Sequence, residues 1–248
     1  MAKLFHYTII LALLLFCVKS WSDNGRIEIS QYNIPYIITN SGSYVLTESI
    51  INNTAQPAIL IVAHNVTIDL NGHTVAALNV GQINGISSDP GVRGVVVKNG
   101  QIRKASGSAL RLGSFARVEN LIISDCRNAL ICGNAAWVQS CQIYSNWGTL
   151  AVDLGDASLM QNVTVGQCAI GNASATVIRM GASGIVRNCT ITALTADSPL
   201  TCILPGEGSL LAQCRMDDIQ CADLLRGIDS RHSLIVDTVM ANTDADAG

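Results

Sequence analysis

Three charged residues recur at one position of a repeating sequence pattern. Arg111, Asp153 and Arg179 each lie in the middle of a short apolar run, where other repeats carry Ile131, Ile203 and Leu225. If this position faces outward, Asp153 and Arg179 are neighbours on consecutive turns. An arginine there could neutralise the carboxylate of a uronate sugar and acidify the adjacent C–H, so that a base removes the proton.

The same residues also fit a simpler interpretation. An exposed Asp153–Arg179 ion pair contributes only about 0–1 kcal/mol to stability. Asp156, in the turn after Gly155, is the only acidic residue close enough to Asp153 to share a site with it. The catalytic interpretation of Asp153, Arg179, Arg111 and Asp156 is therefore the alternative, and we expect no metal and no cofactor.

Three aromatic residues fall within eleven positions of one another. Trp137, Tyr144 and Trp147 stand out in a chain with only 4% aromatic residues. Sugar rings stack on exposed aromatic faces, so these three are the candidate saccharide platform. The competing interpretation is that Trp137 only covers apolar neighbours.

A polar residue marks each repeat of the chain. Two short apolar runs, the first ending in Gly, recur roughly every 20–28 residues from about 65 to 240. The runs are short and β-branched, which favours strands over helices. The predicted structural ladder comprises Asn99, Asn120, Ser140, Asn162, Asn188 and Gln213.

The ladder position is expected to be a tight bend whose side chains stack along one line. Amides in register would donate to one turn and accept from the next, satisfying groups that are otherwise buried unpaired. The Gly after each first run is expected to occupy a turn with positive φ. Stacked equivalent turns are the signature of a solenoid.

Coils of this length with short strands favour an all-β, single-stranded right-handed parallel β-helix of about eight coils. The segment Val66–Val75 (VTIDLNGHTV) resembles the opening coil of exported proteins in the pectin-lyase-like superfamily, and the resemblance covers roughly Ser41 to Met240. That family includes polyuronate lyases, galacturonases, uronate epimerases, adhesins and phage spikes. The resemblance implies a carbohydrate-associated fold without specifying an activity. Hydrolases of this family need clustered aspartates and pectate lyases need an acidic Ca²⁺ site.

A column of apolar residues is predicted to face outward three positions before each ladder residue. It forms the candidate interface stripe Trp137, Leu159, Ile185, Leu210 and Ile235. A stripe this apolar is not expected to face bare solvent. Either a loop folds over it or a second chain does, and both alternatives remain open.

Cysteine usage leaves two interpretations open. Eight cysteines follow the first 22 residues, and Cys189 and Cys214 share one slot in adjacent turns. Parallel strands lie about 4.8 Å apart, within disulfide range, but in-register side chains strain the bond. Stacked free thiols acting as small core hydrophobes are the preferred interpretation.

The beginning of the chain has the pattern of an export signal. Lys3 precedes an apolar stretch too short to span a bilayer, and Ser20 and Ser22 suit cleavage before Asp23. We therefore predict a signal peptide over 1–22, a β-helix over 23–240 and a disordered acidic tail over 241–248. The destination is secretion, the periplasm or the cell surface, with no membrane span after signal removal.

The net charge of −3 and the lack of a basic cluster argue against nucleic acid as a partner. Possible partners are a polysaccharide, a second copy of the chain or another protein that meets the stripe. The resulting hypothesis is an exported, non-catalytic surface, adhesive or assembly module that binds polysaccharide. The alternative is a polyuronate-active enzyme of the pectate or alginate lyase or epimerase type.

Overall fold

The computed structural model describes residues 25–78, 81–170, 175–221, 223–229 and 233–245. The predicted signal peptide over 1–22 lies outside the described residues. Apart from one short 3-10 helix at Gln31–Asn33, the elements are all β-strands. In chain order they are β1 (Ile27–Ile29), β2 (Tyr36–Ile38), β3 (Gly42–Leu46), β4 (Ile50–Asn52), β5 (Ile59–Ile61), β6 (Val66–Asp69), β7 (Thr74–Ala77), β8 (Ile86–Ser88), β9 (Val96–Arg103), β10 (Ser108–Leu112), β11 (Arg117–Ser124), β12 (Asn128–Cys132), β13 (Trp137–Gln139), β14 (Gln142–Tyr144), β15 (Leu150–Leu154), β16 (Leu159–Gln161), β17 (Thr164–Gly166), β18 (Ala169–Ile170), β19 (Ala175–Met180), β20 (Ile185–Arg187), β21 (Thr190–Ala196), β22 (Leu200–Leu204), β23 (Leu210–Ala212), β24 (Arg215–Cys221), β25 (Leu225–Ile228), β26 (Leu234–Val236) and β27 (Val239–Ala245).

These strands pair only in parallel, each with its counterpart one coil away. The nine-stranded sheet B runs β2-β5-β8-β10-β12-β15-β19-β22-β25. The other eighteen strands form sheet A, which bends along its length so that each coil contributes a first and a second strand segment to it. The predicted all-β right-handed parallel β-helix of about eight coils is confirmed.

From Gly94 to Asp218 each coil turns at three residues with positive φ, spaced five apart. In one coil these are Phe115, Asn120 and Asp125, with φ values of 59°, 52° and 56°. The same spacing recurs in the next three coils, at 135/140/145, 157/162/167 and 183/188/193. A non-glycine residue in this left-handed region is unusual, and small polar residues tolerate it best. One bend therefore precedes sheet A and one lies within it, while the third follows the sheet A strands at Asp125 and Ser145 and lies within sheet A at Gln167 and Ala193.

The ladder residues stack as predicted, but they are not buried. Their neighbours pair coil by coil, as Glu119 with Gln139 and Gln139 with Gln161, which places the ladder on a common line. Asn120, Ser140, Asn162, Asn188 and Gln213 are nevertheless exposed. The prediction that the ladder satisfies buried polar groups is therefore wrong.

Backbone hydrogen bonds explain why the ladder tolerates Ser and Gln. The N–H of Ser140 donates to the carbonyl of Gln161 in the next coil, at 3.2 Å, and Asn162, Asn188 and Gln213 repeat this pattern. Within the described ladder, side-chain links join only Asn120 to Asn99 (3.3 Å) and Asn99 to Asp69 (3.2 Å). The position selects for a left-handed bend more than for an amide.

The glycines that end the sheet B strands have a different role from the one predicted. Gly113, Gly133, Gly155, Gly181 and Gly206 do not have positive φ. A Cβ on Gly155 would lie 2.3 Å from Oδ1 and 2.7 Å from the backbone N of Asn134 in the preceding coil. These positions are glycine because consecutive coils approach each other closely there.

A continuous apolar core fills the coil from end to end. Its inward columns include Leu110, Leu130, Val152 and Ile178 of sheet B, which are fully buried. All eight described cysteines are buried in this core as free thiols. The preferred interpretation of the cysteines is therefore confirmed.

The last coil leaves apolar side chains uncovered. Leu234, Val239 and Met240 are 63%, 57% and 46% exposed. Strand β27 continues to Ala245, so it enters the segment 241–248 that was predicted as a tail, and 246–248 lie outside the described residues. None of the described residues forms a helix with the length and hydrophobicity that crossing a membrane requires.

Candidate functional site

Asp153 and Arg179 meet on the outer face of sheet B. They are register partners on β15 and β19, as the repeat predicts. The guanidinium donates from Nε to Oδ1 at 2.8 Å and from Nη2 to Oδ2, so both carboxylate oxygens are occupied. The hydrogen bond to Asp153 raises the pKa of Arg179. The Arg179 side chain remains 51% exposed.

The other two catalytic candidates do not join this pair. Arg111 lies two strands from Asp153, with Ile131 between them, and it lines a separate groove with Ser87 and Asp89. Asp156 is in the turn after β15, where its Oδ1 accepts the backbone N–H of Ala182 at 2.8 Å. The structure therefore gives an exposed ion pair, a separate arginine and a turn-forming aspartate.

The outward column was predicted to continue from Arg179 to Ile203 and Leu225, but the strand register differs at these later positions. Arg179 pairs with Leu204, not with Ile203, which continues the inward column instead. Both residues are apolar, so alternation alone does not distinguish them. Leu225 pairs with Leu200 and is likewise outside the column.

The interface stripe is continuous, with one correction. Trp137, Leu159, Ile185 and Leu210 are consecutive register partners on the first segments of sheet A. The next partner is Leu234, so Ile235 belongs to the inward column with Leu211. Trp137 is 36% exposed, and Leu159, Ile185 and Leu210 are half-buried.

A row of hydrogen-bonded polar side chains runs beside this stripe. Nε and Nη2 of Arg187 donate to Oε1 of Gln161 at 2.8 and 2.6 Å, and Nε2 of Gln161 donates to Oε1 of Gln139 at 3.1 Å. At its other end the stripe begins where the Arg117 guanidinium lies 4.4 Å from the ring centre of Trp137. This face of sheet A is thus apolar along one column and hydrogen-bonded along the next.

The three aromatic residues of the predicted platform do not form one surface. Trp137 belongs to the stripe on β13, Tyr144 ends β14 beyond the Ser140 bend, and Trp147 lies in the following turn. Among the described residues, only Tyr36 and Tyr44 make an aromatic ring contact. Tyr144 and Trp147 remain 37% and 50% exposed.

Tyr144 lines a groove on the second segments of sheet A. The groove has a volume of about 410 Å³ and is lined by Gln142, Ile143, Tyr144, Thr164, Gly166, Gln167 and Thr192. Tyr144 stands in register between Ser124 and Gly166, whose side chains are short or absent. The ring is therefore a ridge beside a recess over Gly166, bordered by amide and hydroxyl groups that donate and accept hydrogen bonds.

A set of basic residues in the coils before this groove was missed by the sequence reasoning. From 93 to 127 the chain has seven Lys and Arg against two Asp and Glu, whereas from 197 to 245 it has three against eight. The near-neutral total conceals this separation. Counting charge coil by coil reveals it.

Several core thiols are held in their protonated form. Burial raises the pKa of Cys126 to about 12 and that of Cys141 to about 11. Cys189 shares a hydrogen bond with Cys214 in the adjacent coil, and this bond together with burial raises the pKa of Cys189. Within the ranges described, His, Cys, Asp and Glu form no group of three or more that could hold a metal ion.

No protein-family model matches the chain, and no curated protein sequence matches it. One solved structure with some similarity is the A-module of the mannuronan C-5 epimerase AlgE4 from Azotobacter vinelandii. It is 10% identical with a TM-score of 0.40, over 87% of this chain and 84% of that chain. A likeness of this size concerns the fold and does not extend to activity.

Proposed function

We propose that this protein is a non-catalytic β-helix module that binds polysaccharide in the Tyr144 groove. The observation that supports the proposal is the exposed Tyr144 ring at the edge of the groove, next to Gln142 and Thr164. An aromatic ridge gives a sugar ring an apolar face to stack on. The neighbouring amide and hydroxyl groups match the hydroxyls at the edge of that ring.

Regular stacking of coils favours a polymer over a single sugar. Gln142, Thr164 and Thr190 follow one another in register on β14, β17 and β21. They repeat at the spacing of parallel strands, about 4.8 Å. A chain of sugars lying along the solenoid would therefore meet similar groups at each coil.

A polyuronate-active enzyme is the second candidate, because Asp153 and Arg179 form an exposed acid–base pair on sheet B. A catalytic base must reach the proton that it removes. Both oxygens of Asp153 instead accept hydrogen bonds from Arg179. Asp156 in turn accepts the backbone N–H of Ala182. This arrangement supports the non-catalytic candidate.

The test is a glycan-binding titration of the Tyr144→Ala variant. Loss of ring stacking is expected to weaken binding roughly tenfold. Tyr32→Ala is the matched control, since Tyr32 is 94% exposed and lies in the first coil. Its affinity is expected to equal that of the unmodified protein.

An absorbance assay for unsaturated products from pectate and alginate is run on the same samples. A signal that disappears in Arg179→Ala would establish the enzyme and refute the non-catalytic proposal. Equal glycan affinity in the Tyr144→Ala and unmodified proteins would remove the groove as the binding site.

A further inference from the structure

We propose that the corner next to the Tyr144 groove binds the acidic groups of a sugar chain, so that the ligand is an anionic polysaccharide. The corner consists of Arg103, Lys104 and Arg127 together with Tyr144 and Trp147. This inference rests on the proposed function and adds the chemical class of the glycan. The shared chemistry is a carboxylate or sulfate group on a polymer of sugars.

Strand register places the first part of this corner. Arg103, Ser124 and Tyr144 are consecutive partners on β9, β11 and β14. Ser124 is buried between them, so Arg103 and Tyr144 lie two coil spacings apart, roughly 10 Å. A sugar stacked on the Tyr144 ring would present its substituents toward the exposed Arg103.

The second part of the corner, Arg127 and Trp147, lies in the turns that follow β11 and β14. The N–H of Trp147 donates to the carbonyl of Cys126 at 3.1 Å, and that of Gly148 donates to the carbonyl of Arg127 at 2.7 Å. A Cβ on Gly148 would lie 2.2 Å from that carbonyl oxygen, so glycine permits the close approach. Arg127 and the half-exposed Trp147 therefore lie one coil apart at the same corner.

The cations of this corner are available to a ligand. Among the described residues, Arg103, Lys104 and Arg127 form no ion pair with Asp or Glu, whereas Arg117, Arg179, Arg215 and Arg226 each do. Lys104 occupies an exposed left-handed bend with φ of 59°. Asp125 is the acidic residue of the corner, and its Oδ2 accepts the Ser124 hydroxyl at 3.2 Å.

The charge of residues 93–127 strengthens this local argument. The basic residues of 93–127 concentrate in the coils that lead into the groove, and the acidic residues of 197–245 lie beyond it. An anionic polymer is attracted to the first region and repelled by the second. The hydroxyl and amide lining of the groove favours a sugar chain over a nucleic acid.

The experiment compares three glycans and one single-stranded DNA, with one variant and one control. Polygalacturonate supplies carboxylates, dextran sulfate supplies sulfates, and dextran is neutral. Affinities are measured at low and high salt for the unmodified protein, for R103Q/R127Q and for R215Q/R226Q. The last variant removes the same charge from ion-paired arginines at the acidic end, and circular dichroism checks that each variant keeps its β-sheet content.

We expect one or both charged glycans to bind more tightly than dextran and to weaken as salt screens the charges. Loss of two charge-assisted contacts in R103Q/R127Q is expected to lower that affinity by at least roughly tenfold. R215Q/R226Q is expected to bind as the unmodified protein does. The stronger of the two charged glycans identifies the acidic group.

Two results would contradict the inference that the ligand is an anionic glycan without excluding polymer binding by the protein. Equal, salt-independent affinity for all three glycans would refute the anionic class and retain the proposed function. Tighter binding of single-stranded DNA than of either charged glycan would assign the corner to nucleic acid. Binding of none of these polymers would refute both proposals.

Discussion

Single glycines set how closely the coils stack in this solenoid. At Gly155 the space that a methyl group would need is already occupied by the backbone and side chain of Asn134. Gly133, Gly181 and Gly206 face the same restriction in their coils. Stability at these positions therefore depends on the absence of a side chain and not on backbone conformation.

Gly155→Ala is predicted to destabilise the protein by about 1–3 kcal/mol, because the added methyl group overpacks the contact between two coils. Urea unfolding monitored by circular dichroism measures this change. Gly81→Ala is the matched control, since a Cβ there meets only the side chain of Ile83 at 3.8 Å. Equal stability of the two variants would contradict the close-approach explanation.

The positions of the glycines and of the ladder residues were predictable from the sequence, but their structural roles were not. Positive φ was the wrong expectation for the glycines, and burial was the wrong expectation for the ladder residues. The five-residue spacing of Phe115, Asn120 and Asp125 shows why. The bends fall on whichever residue occupies the position, including Phe115 and Ala135, so residue type alone does not reveal them.

At the scale of the strand, the inward columns were predictable and their exact register was not. Leu110, Leu130 and Val152 follow from alternation, since period-two patterns separate core from surface. Where two adjacent residues are both apolar, as with Ile203 and Leu204 or Leu234 and Ile235, alternation gives no preference. The register follows instead from the fixed positions, since Leu204 lies two residues before Gly206 as Arg179 lies two before Gly181.

The buried Cys141 thiol leads to a prediction about how folding stability depends on pH. Burial raises the pKa of Cys141 to about 11 from a value of 9.0, so the folded state keeps its proton when the unfolded state loses it. The protonated thiol makes its full contribution to folding stability below pH 9, and this contribution is lost as pH rises toward 11. Between pH 9 and pH 10 the loss is about 1 kcal/mol.

Urea unfolding at pH 8, 9 and 10 measures this slope, and Cys141→Val is the comparison. Val163 already occupies the same column one coil away, which makes valine a fitting replacement. The variant is expected to lose less stability with pH than the unmodified protein. Parallel slopes would show that Cys141 does not contribute to the pH dependence.

The whole molecule combines an apolar stripe with a separation of charge along its length. Trp137, Leu159, Ile185, Leu210 and Leu234 form the corrected stripe. Residues 93–127, before the stripe, are predominantly basic and those around its far end are predominantly acidic.

We predict concentration-dependent self-association of the protein through this stripe. Ile185→Lys places a charge at its centre and is expected to weaken association at least roughly tenfold. Molar mass from light scattering over a concentration series measures the effect. Ile37→Lys is the control, because Ile37 is 51% exposed and lies on β2 in sheet B. A monomer at every concentration would contradict the prediction.

Five-residue spacing between bends has a consequence for how such a chain accommodates change. From Phe115 to Asp125, and in each following coil, the path through sheet A has constant length. The remaining stretch lengthens from a spacing of ten positions between Asp125 and Ala135 to sixteen between Gln167 and Ser183. The longer coils therefore carry their extra residues at a single edge of the solenoid, before the sheet B strand, where Arg127 and Trp147 also lie. New recognition loops can be grafted along that edge without disturbing the stacking of the turns on either side.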